Sequence, residues 1–252
     1  SKQIPIDNFC LDFDWKQWGQ DNYGEFKWNT TNFPSAESGQ LKQYMDSKGL
    51  KLTGIMKPRI LSNSVQANYV TSKKWWLPND SPQSDYCCGK LMENVDFSIP
   101  ELRTWWWNHI QDAFDKGIVG FWNDECDEDT NFGNFGNMNM ERAIYDGQRS
   151  YKNQRVWSLN RCYYAGAQRY SYGMWSGDIN SGFQSMANQR ERMLSAVNLG
   201  EARWGMDTGG FNGDDPSSEN YARWVEFSAF TPIFRVHGQD NKVRYPWAFG
   251  ST

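Results

Sequence analysis

Histidine and cysteine are scarce in this chain, and neither occurs in a paired motif. The sequence of 252 residues has 2 histidines and 5 cysteines, and no two cysteines show the C-x-x-C spacing. These features disfavour a zinc ribbon and a dense framework of disulfides. Although the adjacent Cys87 and Cys88 could each pair elsewhere, we expect buried free thiols at the five positions, which are Cys10, Cys87, Cys88, Cys126 and Cys162.

The chain also lacks a long apolar run and an excess of positive charge. No apolar stretch approaches the roughly 18 residues that a membrane helix needs. The net charge of −4 and the pI of about 5.3 disfavour nucleic acid and anionic membranes as partners. No signal peptide is visible, but the sequence begins at SKQIPID, close to a predicted strand. We therefore expect a segment of a longer protein, and the compartment, secreted or cytoplasmic, does not follow from the termini.

Aromatic residues are abundant. They make up 16% of the chain, which includes 14 tryptophans. A tryptophan side chain serves as core, as interface or as a platform for a sugar, because its flat apolar face suits the C–H face of a pyranose. Carbohydrate is therefore one candidate ligand, and composition alone leaves the other uses open.

Short apolar runs alternate with segments of helical periodicity, which predicts β-α-β units and a parallel sheet. The length suits one (β/α)8 barrel, although about six strands are predicted where a barrel has eight. A doubly wound open sheet is the alternative, but no G-x-G-x-x-G follows the first strand. The predicted strands are 9–13, 50–56, 117–122, 155–159, 169–175 and 202–206; the predicted helices are 41–47, 100–116, 140–153, 188–199 and 221–230; the predicted loops include 79–85 and 131–139.

Carboxylates follow several of the predicted strands, each close to a tryptophan in sequence. They are Asp12, Asp124, Asp178 and Asp207. In parallel α/β folds the chemistry lies where strands end, and cleavage of a glycoside needs two carboxylates, one to attack and one to protonate the leaving oxygen. An aspartate in such a place also caps the following helix. The repetition of the pattern favours a carbohydrate-cleaving site.

Other polar groups admit more than one interpretation. The run Asp124–Glu128 continues to Asp129 and could form a calcium loop, but it lacks the alternating acidic positions and central glycine of an EF-hand. Arg161, Arg235 and His237 are candidate cationic or hydrogen-bonding complements of the carboxylates. Apart from this disfavoured calcium loop, the sequence predicts no metal site.

Six segments, in order along the chain, resemble motifs of glycoside hydrolase family 31. They are LDFDW, GFWNDECDE, NRCYYAGAQRY, MWSGDIN, RWGMDTGGFNG and YARWVEFSAFTPIFRVHG. The resemblance implies a (β/α)8 TIM barrel that is incomplete, holding about strands 2–7. It implies one portion of a catalytic domain over residues 1–252, a loop-rich insertion near 61–99, and partner domains of the same full-length enzyme outside the chain.

The resemblance also assigns roles to individual residues. Asp124 matches the nucleophile and Asp178 the acid/base, and a retaining pair of this kind holds its carboxyl groups about 5–5.5 Å apart. Asp207 matches a strand-end carboxylate that supports the site. The positions that match the lining of the −1 sugar subsite are Asp12, Trp122, Arg161, Trp175, Phe211 and His237. The family uses no metal or organic cofactor.

The chain departs from the family pattern beside the nucleophile. Glu125 and Cys126 replace the usual Met and Asn, Ile179 follows the acid/base, and Lys57 follows the second strand. We expect Lys57 and the loop 125–128 to contact the sugar and to choose among glucose, galactose and N-acetylgalactosamine, because a site that pairs with a hydroxyl strongly rejects its epimer. The alternative is that Lys57 pairs with a neighbouring acid and that the loop 125–128 faces solvent.

The resemblance therefore predicts a retaining α-glycosidase that cleaves terminal α-linked hexose by double displacement. An α-glucosyl transglycosylase with the same two carboxylates is the alternative, because a sugar acceptor can replace water. A non-catalytic sugar-binding protein on an enzyme fold is the third reading, and the retention of both Asp124 and Asp178 disfavours it.

Overall fold

A computed structural model describes residues 4–17, 26–86, 89–125, 133–161 and 164–250 of the chain. It divides into two compact units, Ser1–Ser171 and Tyr172–Thr252. In both units parallel strands alternate with helices, as the sequence predicts. Within the described residues, none of the helices has the length and apolar character that crossing a membrane requires.

The first unit contains a parallel sheet and a small antiparallel one. Its elements are β1 (Asn8–Leu11), α1 (Gln40–Ser47), β2 (Lys51–Met56), β3 (Arg59–Leu61), α2 (Val65–Lys73), β4 (Gln83–Ser84), β5 (Leu91–Asn94), α3 (Pro100–Asp115), β6 (Ile118–Asn123), α4 (Gly133–Tyr151) and β7 (Ser158–Asn160). The parallel order is β1-β2-β6-β7, and β3, β5 and β4 pair antiparallel. The region near 61–99, expected to be a loop-rich insertion, contains α2, β4 and β5, and β3 ends at its first residue.

The central strands of the parallel sheet are buried along most of their length. All residues of β6 except Val119 are buried, as are all of β2 except Lys51. Such near-continuous apolar runs are typical of strands that are covered on both faces. Strand β6 confirms the strand predicted over 117–122. The two strands run parallel, with Met56 opposite Asn123 at their carboxyl ends.

Helix α3 packs against α4 through a close approach of a glycine to a tryptophan. Pro100 occupies the first turn of α3, where its missing N–H costs nothing. The face of α3 that includes Trp107 is buried, and a Cβ added at Gly147 of α4 would lie 2.1 Å from Cγ of Trp107. A larger residue at 147 would therefore force the two helices apart.

The second unit repeats the parallel pattern on a smaller scale. Its elements are β8 (Gly173–Trp175), α5 (Phe183–Asn198), β9 (Trp204–Asp207), α6 (Ser218–Ser228) and β10 (Ile233–Arg235), with the sheet order β8-β9-β10. Its core contains Ile179, Ala196, Trp204, Met206 and Trp224. The helix predicted over 188–199 ends within one residue of the expected position, because α5 ends at Asn198 and Gly200 then adopts φ 88°.

Some predictions from the sequence were wrong. The segment 133–139 is helical rather than a loop, because α4 buries Gly136, Asn137 and Asn139 and burial overrides their low helix propensity. The strand predicted over 169–175 shrinks to β8, and a 3-10 helix spans Ala167–Arg169. Cys10 is half-buried rather than buried, and the other four cysteines lie outside the described residues.

Candidate active site

Asp124 directly follows β6 and is held from three directions. Its backbone N–H donates to the carbonyl of Met56 at 2.9 Å, which ties it to the end of β2. Its Oδ1 accepts the N–H of Glu125 at 2.8 Å and lies 3.2 Å from Nε of Arg161. Asp124 is 6% exposed, so this carboxylate faces its partners in a site largely closed to water. Both contacts to Oδ1 favour the ionised form of this carboxylate, which is the form that a nucleophile requires.

Glu125 and Lys57 form an ion pair that is buried beside Asp124. Nζ of Lys57 lies 2.8 Å from Oε2 of Glu125 and 3.5 Å from Oδ1 of Asp85. Arg59 binds both acids, through Nε to Asp85 and through Nη2 to Glu125. The predicted contact of Lys57 and Glu125 with a sugar stays a prediction, while the contacts that the structure shows join them to each other.

The hydroxyl of Tyr86 completes the surroundings of the Glu125 carboxylate by donating to Oε1. Burial would raise the pKa of Glu125, but Arg59 and Lys57 outweigh it, so the pKa is lowered. Although most of the Tyr86 side chain is exposed, desolvation of its hydroxyl and the adjacent Glu125 raise its pKa. At neutral pH the cluster therefore contains a carboxylate at Glu125 and a neutral phenol at Tyr86.

The backbone of Glu125 is left-handed, with φ 58°. For a residue other than glycine this conformation costs roughly 1–3 kcal/mol and persists only where the surroundings impose it. Here the surroundings are the three donors to its carboxylate, from Lys57, Arg59 and Tyr86. Residues 126–132 lie outside the described part of the chain, so the rest of the predicted loop 125–128 and of the acidic run has no described geometry.

Asp12 follows β1, and Trp122 lies one residue before the end of β6, on the other side of β2 in the sheet of the first unit. Oδ1 of Asp12, which is exposed, accepts the N–H of Phe13 at 2.8 Å and caps the 3-10 helix Phe13–Trp15. Capping of this helix is the structural alternative to a functional role for Asp12. The cap uses Oδ1 of the carboxylate. Trp122 is 5% exposed at the end of β6, two residues before Asp124.

Asp178 lies in the second unit, on a loop that is fixed by a neighbouring loop. The carboxylate-bearing residue is exposed, whereas Ile179 beside it belongs to the buried core. The amide of Asn212 donates to the carbonyl of Asp178 at 3.1 Å, and the N–H of Phe211 donates to the carbonyl of Ile179 at 2.7 Å. Ile179 thus anchors the loop in the core, while Asp178, directly before it, stays at the surface.

Gly210 permits the close approach of these two loops. Its φ is 86°, and a Cβ at this position would lie 2.3 Å from the backbone nitrogen of Ser181. Neither the conformation nor the distance accepts a side chain. The G-G-F sequence after β9 therefore supports the position of Asp178 through its backbone.

Asp207, at the end of β9, is fully buried next to a cation. Nε of Arg235 lies 3.5 Å from Oδ1 of Asp207, and the guanidinium carbon of Arg235 lies 5.1 Å from the ring centroid of Trp175. Asp207 and Trp175 are thus brought together through Arg235, since the cation contacts both. Arg235 was named from the sequence only as a complement to the acids, and the structure makes it the link between two predicted site residues.

Phe211 and His237 stack, with ring centroids 5.2 Å apart and an angle of 28° between the rings. Burial and the nearby Arg235 lower the pKa of His237 to about 2. The imidazole is therefore neutral over the working range of most enzymes.

Sequence reasoning missed Arg59, Asp85 and Tyr86. One feature of the sequence could have indicated them: two basic residues stand close together in K-P-R, directly after β2, and such a pair predicts acidic partners nearby. The partners of Arg59 lie 26 and 66 residues away along the chain, and no local pattern connects them. Within the described ranges, no group of three or more His, Cys, Asp and Glu side chains is placed to hold a metal ion, and residues 126–129 of the acidic run fall outside those ranges.

Comparisons with known proteins agree on one family and one fold. The family model of the TIM-barrel domain of glycosyl hydrolases family 31 matches residues 1–252. A 1,6-alpha-glucosyltransferase of Sporosarcina globispora is 45% identical, over 100% of this chain and 22% of that protein. An alpha-xylosidase of Saccharolobus solfataricus is 28% identical, over 98% of this chain and 35% of that protein. The chain thus spans about a fifth to a third of the length of these two relatives.

Among solved structures, a dextranase of Flavobacterium johnsoniae complexed with glucose superposes with a TM-score of 0.85. It is 25% identical, and the match covers 99% of this chain and 34% of the dextranase chain. The alpha-xylosidase of Xanthomonas citri gives the same TM-score at 22% identity, over 97% of this chain and 30% of that chain, which bears on the fold alone. The predicted fold class, an incomplete (β/α)8 barrel, is confirmed.

Proposed function

The chain belongs to glycosyl hydrolase family 31, and from that premise we propose that it is the catalytic portion of a retaining α-glycosidase. The substrate class is an oligosaccharide or glycan with a terminal α-linked hexose. The observation that carries this proposal is the carboxylate of Asp124, which is buried, anchored to the end of β2 and contacted at Oδ1 by Arg161 and the N–H of Glu125.

In the proposed first step, an oxygen of Asp124 bonds to the anomeric carbon while the glycosidic C–O bond breaks. Asp178 gives its proton to the leaving oxygen, so no alkoxide is released. In the second step Asp178 takes a proton from water, the water oxygen bonds to the anomeric carbon, and Asp124 leaves as a carboxylate. Two inversions at the same carbon give net retention.

The exposed position of Asp178 supports its part in this scheme. An acid/base group must reach the leaving oxygen in one step and a water molecule in the next, and the buried side chain of Ile179 next to it keeps the backbone still. Preorganisation of this kind lowers the barrier, because the enzyme need not reorient the group during the reaction.

The sugar would be bound by groups of three kinds. Trp122 and Trp175, which are almost fully buried, would form an aromatic wall of the subsite, and neutral His237, stacked on Phe211, would offer a hydrogen-bonding nitrogen. Asp12, Arg161 and Asp207 are the remaining proposed contacts or supports, of which Asp207 acts through Arg235. The reaction needs the two carboxylates and water, and it takes no step through a cofactor.

A panel of aryl α-glycosides tests this function on the full-length protein. The panel includes glucosides, galactosides, N-acetylgalactosaminides and, because one relative is named an alpha-xylosidase, xylosides. We expect release of the aryl group from at least one α-glycoside and none from its β-anomer, with loss of at least about 10³-fold in Asp124→Asn. Turnover that survives Asp124→Asn would overturn the assignment of the nucleophile.

Glycosyl transfer is the second candidate, favoured by the relative named 1,6-alpha-glucosyltransferase at 45% identity. The same glycosyl-enzyme would then react with a sugar hydroxyl in place of water. Incubation with an α-linked oligosaccharide alone separates the two candidates. Products longer than the donor indicate transfer, and accumulation of monosaccharide without longer products indicates hydrolysis.

A further inference from the structure

We propose that Arg244 is a positioning residue for the acid/base Asp178. Its buried guanidinium binds the peptide that joins Gly210 to Phe211, and this peptide holds the backbone of the loop that carries Asp178. The inference rests on the proposed function, in which Asp178 protonates the leaving oxygen and then takes a proton from water.

Arg244 is a buried cation in the segment after β10, where it is 3% exposed. Its Nε donates to the carbonyl of Gly210 at 2.6 Å, while its Nη1 donates to Oδ1 of Asp215 and to the carbonyl of Val243, at 2.8 Å each. Hydrogen bonds from a charged donor are roughly twice as strong as neutral ones. Because Gly210 is buried and Asp215 is exposed, the bond to Gly210 is screened less by water and salt.

One peptide unit connects this bond to the acid/base loop. The carbonyl of Gly210 and the N–H of Phe211 belong to the same planar group and point in opposite directions. The N–H donates to the carbonyl of Ile179 at 2.7 Å. A single rigid plane is therefore bonded to Arg244 on one side and to the residue after Asp178 on the other. A peptide whose carbonyl accepts a hydrogen bond is polarised, which also strengthens the bond that its N–H donates.

The next residue, Asn212, continues the contact with the acid/base loop. Its N–H donates to the carbonyl of Ile179 at 2.9 Å, and its side-chain amide donates to the carbonyl of Asp178 at 3.1 Å. The N–H of Ser181 donates back to the carbonyl of Asn212 at 3.1 Å. A shift of residues 210–212 would therefore move the backbone from which the carboxylate of Asp178 extends.

Arg244 is packed too closely to leave the Gly210 carbonyl easily. A Cβ at Gly209 would lie 3.0 Å from Cδ of Arg244, and a Cβ at Gly238 would lie 2.6 Å from its Cγ. The hydroxyl of Tyr221 donates to the carbonyl of Arg244. The side chain is thus enclosed along its length and held at its backbone, which keeps Nε in place.

A purely structural role for Arg244 is the competing explanation, because its side chain also joins the segment after β10 to the loop before α6. Loss of folded protein, or of a sugar contact, lowers kcat/KM on every aryl α-glycoside by the same factor. Displacement of the acid does not, since a good leaving group departs with little protonation and a poor one depends on the acid. The ratio of kcat/KM between the two kinds of substrate therefore separates the explanations.

The test compares Arg244→Met with Arg244→Gln in the full-length protein. Both variants are neutral, and both lose the pair with exposed Asp215. Counted in bonds from Cα, the side-chain nitrogen of glutamine stands where Nε of arginine stands and can donate to Gly210, whereas methionine has a methyl group there. The substrates are a dinitrophenyl and a phenyl α-glycoside of one sugar that the protein turns over, of which the first is activated.

We expect Arg244→Met to lower kcat/KM about tenfold on the phenyl glycoside and at most about twofold on the dinitrophenyl glycoside, because a displaced acid keeps only part of its effect. Arg244→Gln should recover at least about threefold of the loss on the phenyl glycoside. Arg223, which pairs with Glu226 on the surface of α6, provides the matched control. Arg223→Met and Arg223→Gln should keep the wild-type ratio.

Asp178→Ala keeps the failure of the inference apart from the failure of the proposed function. Equal losses on the two glycosides in Asp178→Ala would overturn the acid role, and the inference with it. If Asp178→Ala is selective, an unchanged ratio in Arg244→Met would overturn the role of Arg244. The same holds if Arg244→Gln shows the full loss of Arg244→Met.

If Arg244→Met does not fold, Asn212→Ala tests the next contact, because it removes the bond to the carbonyl of Asp178 from a half-buried side chain. It should lower kcat/KM about two- to fivefold more on the phenyl glycoside than on the dinitrophenyl glycoside. A wild-type ratio in Asn212→Ala would show that residues 210–212 do not position Asp178, which would overturn the role of Arg244.

Discussion

Replacement of Lys57 by methionine should strongly destabilise the first unit. The ammonium lies 2.8 Å from Glu125 and 3.5 Å from Asp85, and it also sits 4.3 Å and 4.0 Å from the ring centroids of Phe13 and Tyr86. Methionine fills much of the same volume between the two rings. What changes is the charge, because two buried anions then face Arg59 alone.

The size of the effect follows from this imbalance. Removal of one partner from a buried ion pair costs about 3–5 kcal/mol, because the other charge stays buried without compensation. With an m-value of roughly 3 kcal/mol/M in urea, the unfolding midpoint should fall by about 1–1.7 M. The double variant Lys57→Met/Glu125→Gln restores the balance, so it should recover at least about 0.5 M of that loss.

The assay is urea unfolding of the full-length protein, followed by tryptophan fluorescence and circular dichroism. Lys42→Met is the control, because Lys42 pairs with Asp46 on the surface of α1, where such pairs contribute under about 1 kcal/mol. If Lys57→Met and Lys42→Met both shifted the midpoint by less than about 0.3 M, the ammonium would not be part of a buried charge cluster, and the reasoning would fail.

Three further predictions concern the second unit. Asp178→Ala should spare the first step for activated leaving groups, which need little protonation, and azide should restore the second step; equal losses on activated and unactivated aryl glycosides would remove Asp178 from the acid role. Gly210→Ala should lower kcat and thermal stability together, because its Cβ would meet the nitrogen of Ser181 at 2.3 Å; a variant with wild-type kcat would show that the loop contact does not matter. His237, with a pKa of about 2, binds fewer protons when folded than the unfolded chain does below about pH 6.5, so it makes stability fall as pH falls. The urea midpoint of His237→Gln should therefore drop less than that of the wild type between pH 7 and pH 4, and parallel curves would contradict the low pKa.

The strand ends that carry Asp124 and Asp207 were predictable from the sequence. Each follows a short apolar run, and in both cases the run forms a buried strand, β6 or β9. The hydrophobic pattern is local, so a window of a few residues contains the whole signal. Three-residue strands such as β10 carry too few residues for a pattern, and β10 was missed.

The ion pairs of the charge cluster around Lys57 could not be predicted from the sequence. Lys57 and Glu125 stood out as departures from the family motifs, and their proximity was expected. Their ion pair, however, belongs to a cluster that also includes Arg59 and Asp85, which lie 26 residues apart. Pairings at such separation are set by the packing of β2, β6 and the antiparallel sheet, and no local propensity encodes them.

Identification of the residue that becomes glycosylated tests the central claim most directly. The full-length protein would be incubated with a fluorinated glycosyl donor that forms the glycosyl-enzyme quickly and releases it slowly, then digested and sequenced by mass spectrometry. We expect one added sugar, on Asp124, in the peptide that contains GFWND. A sugar attached to any other residue, or turnover with inversion and no adduct, would contradict it.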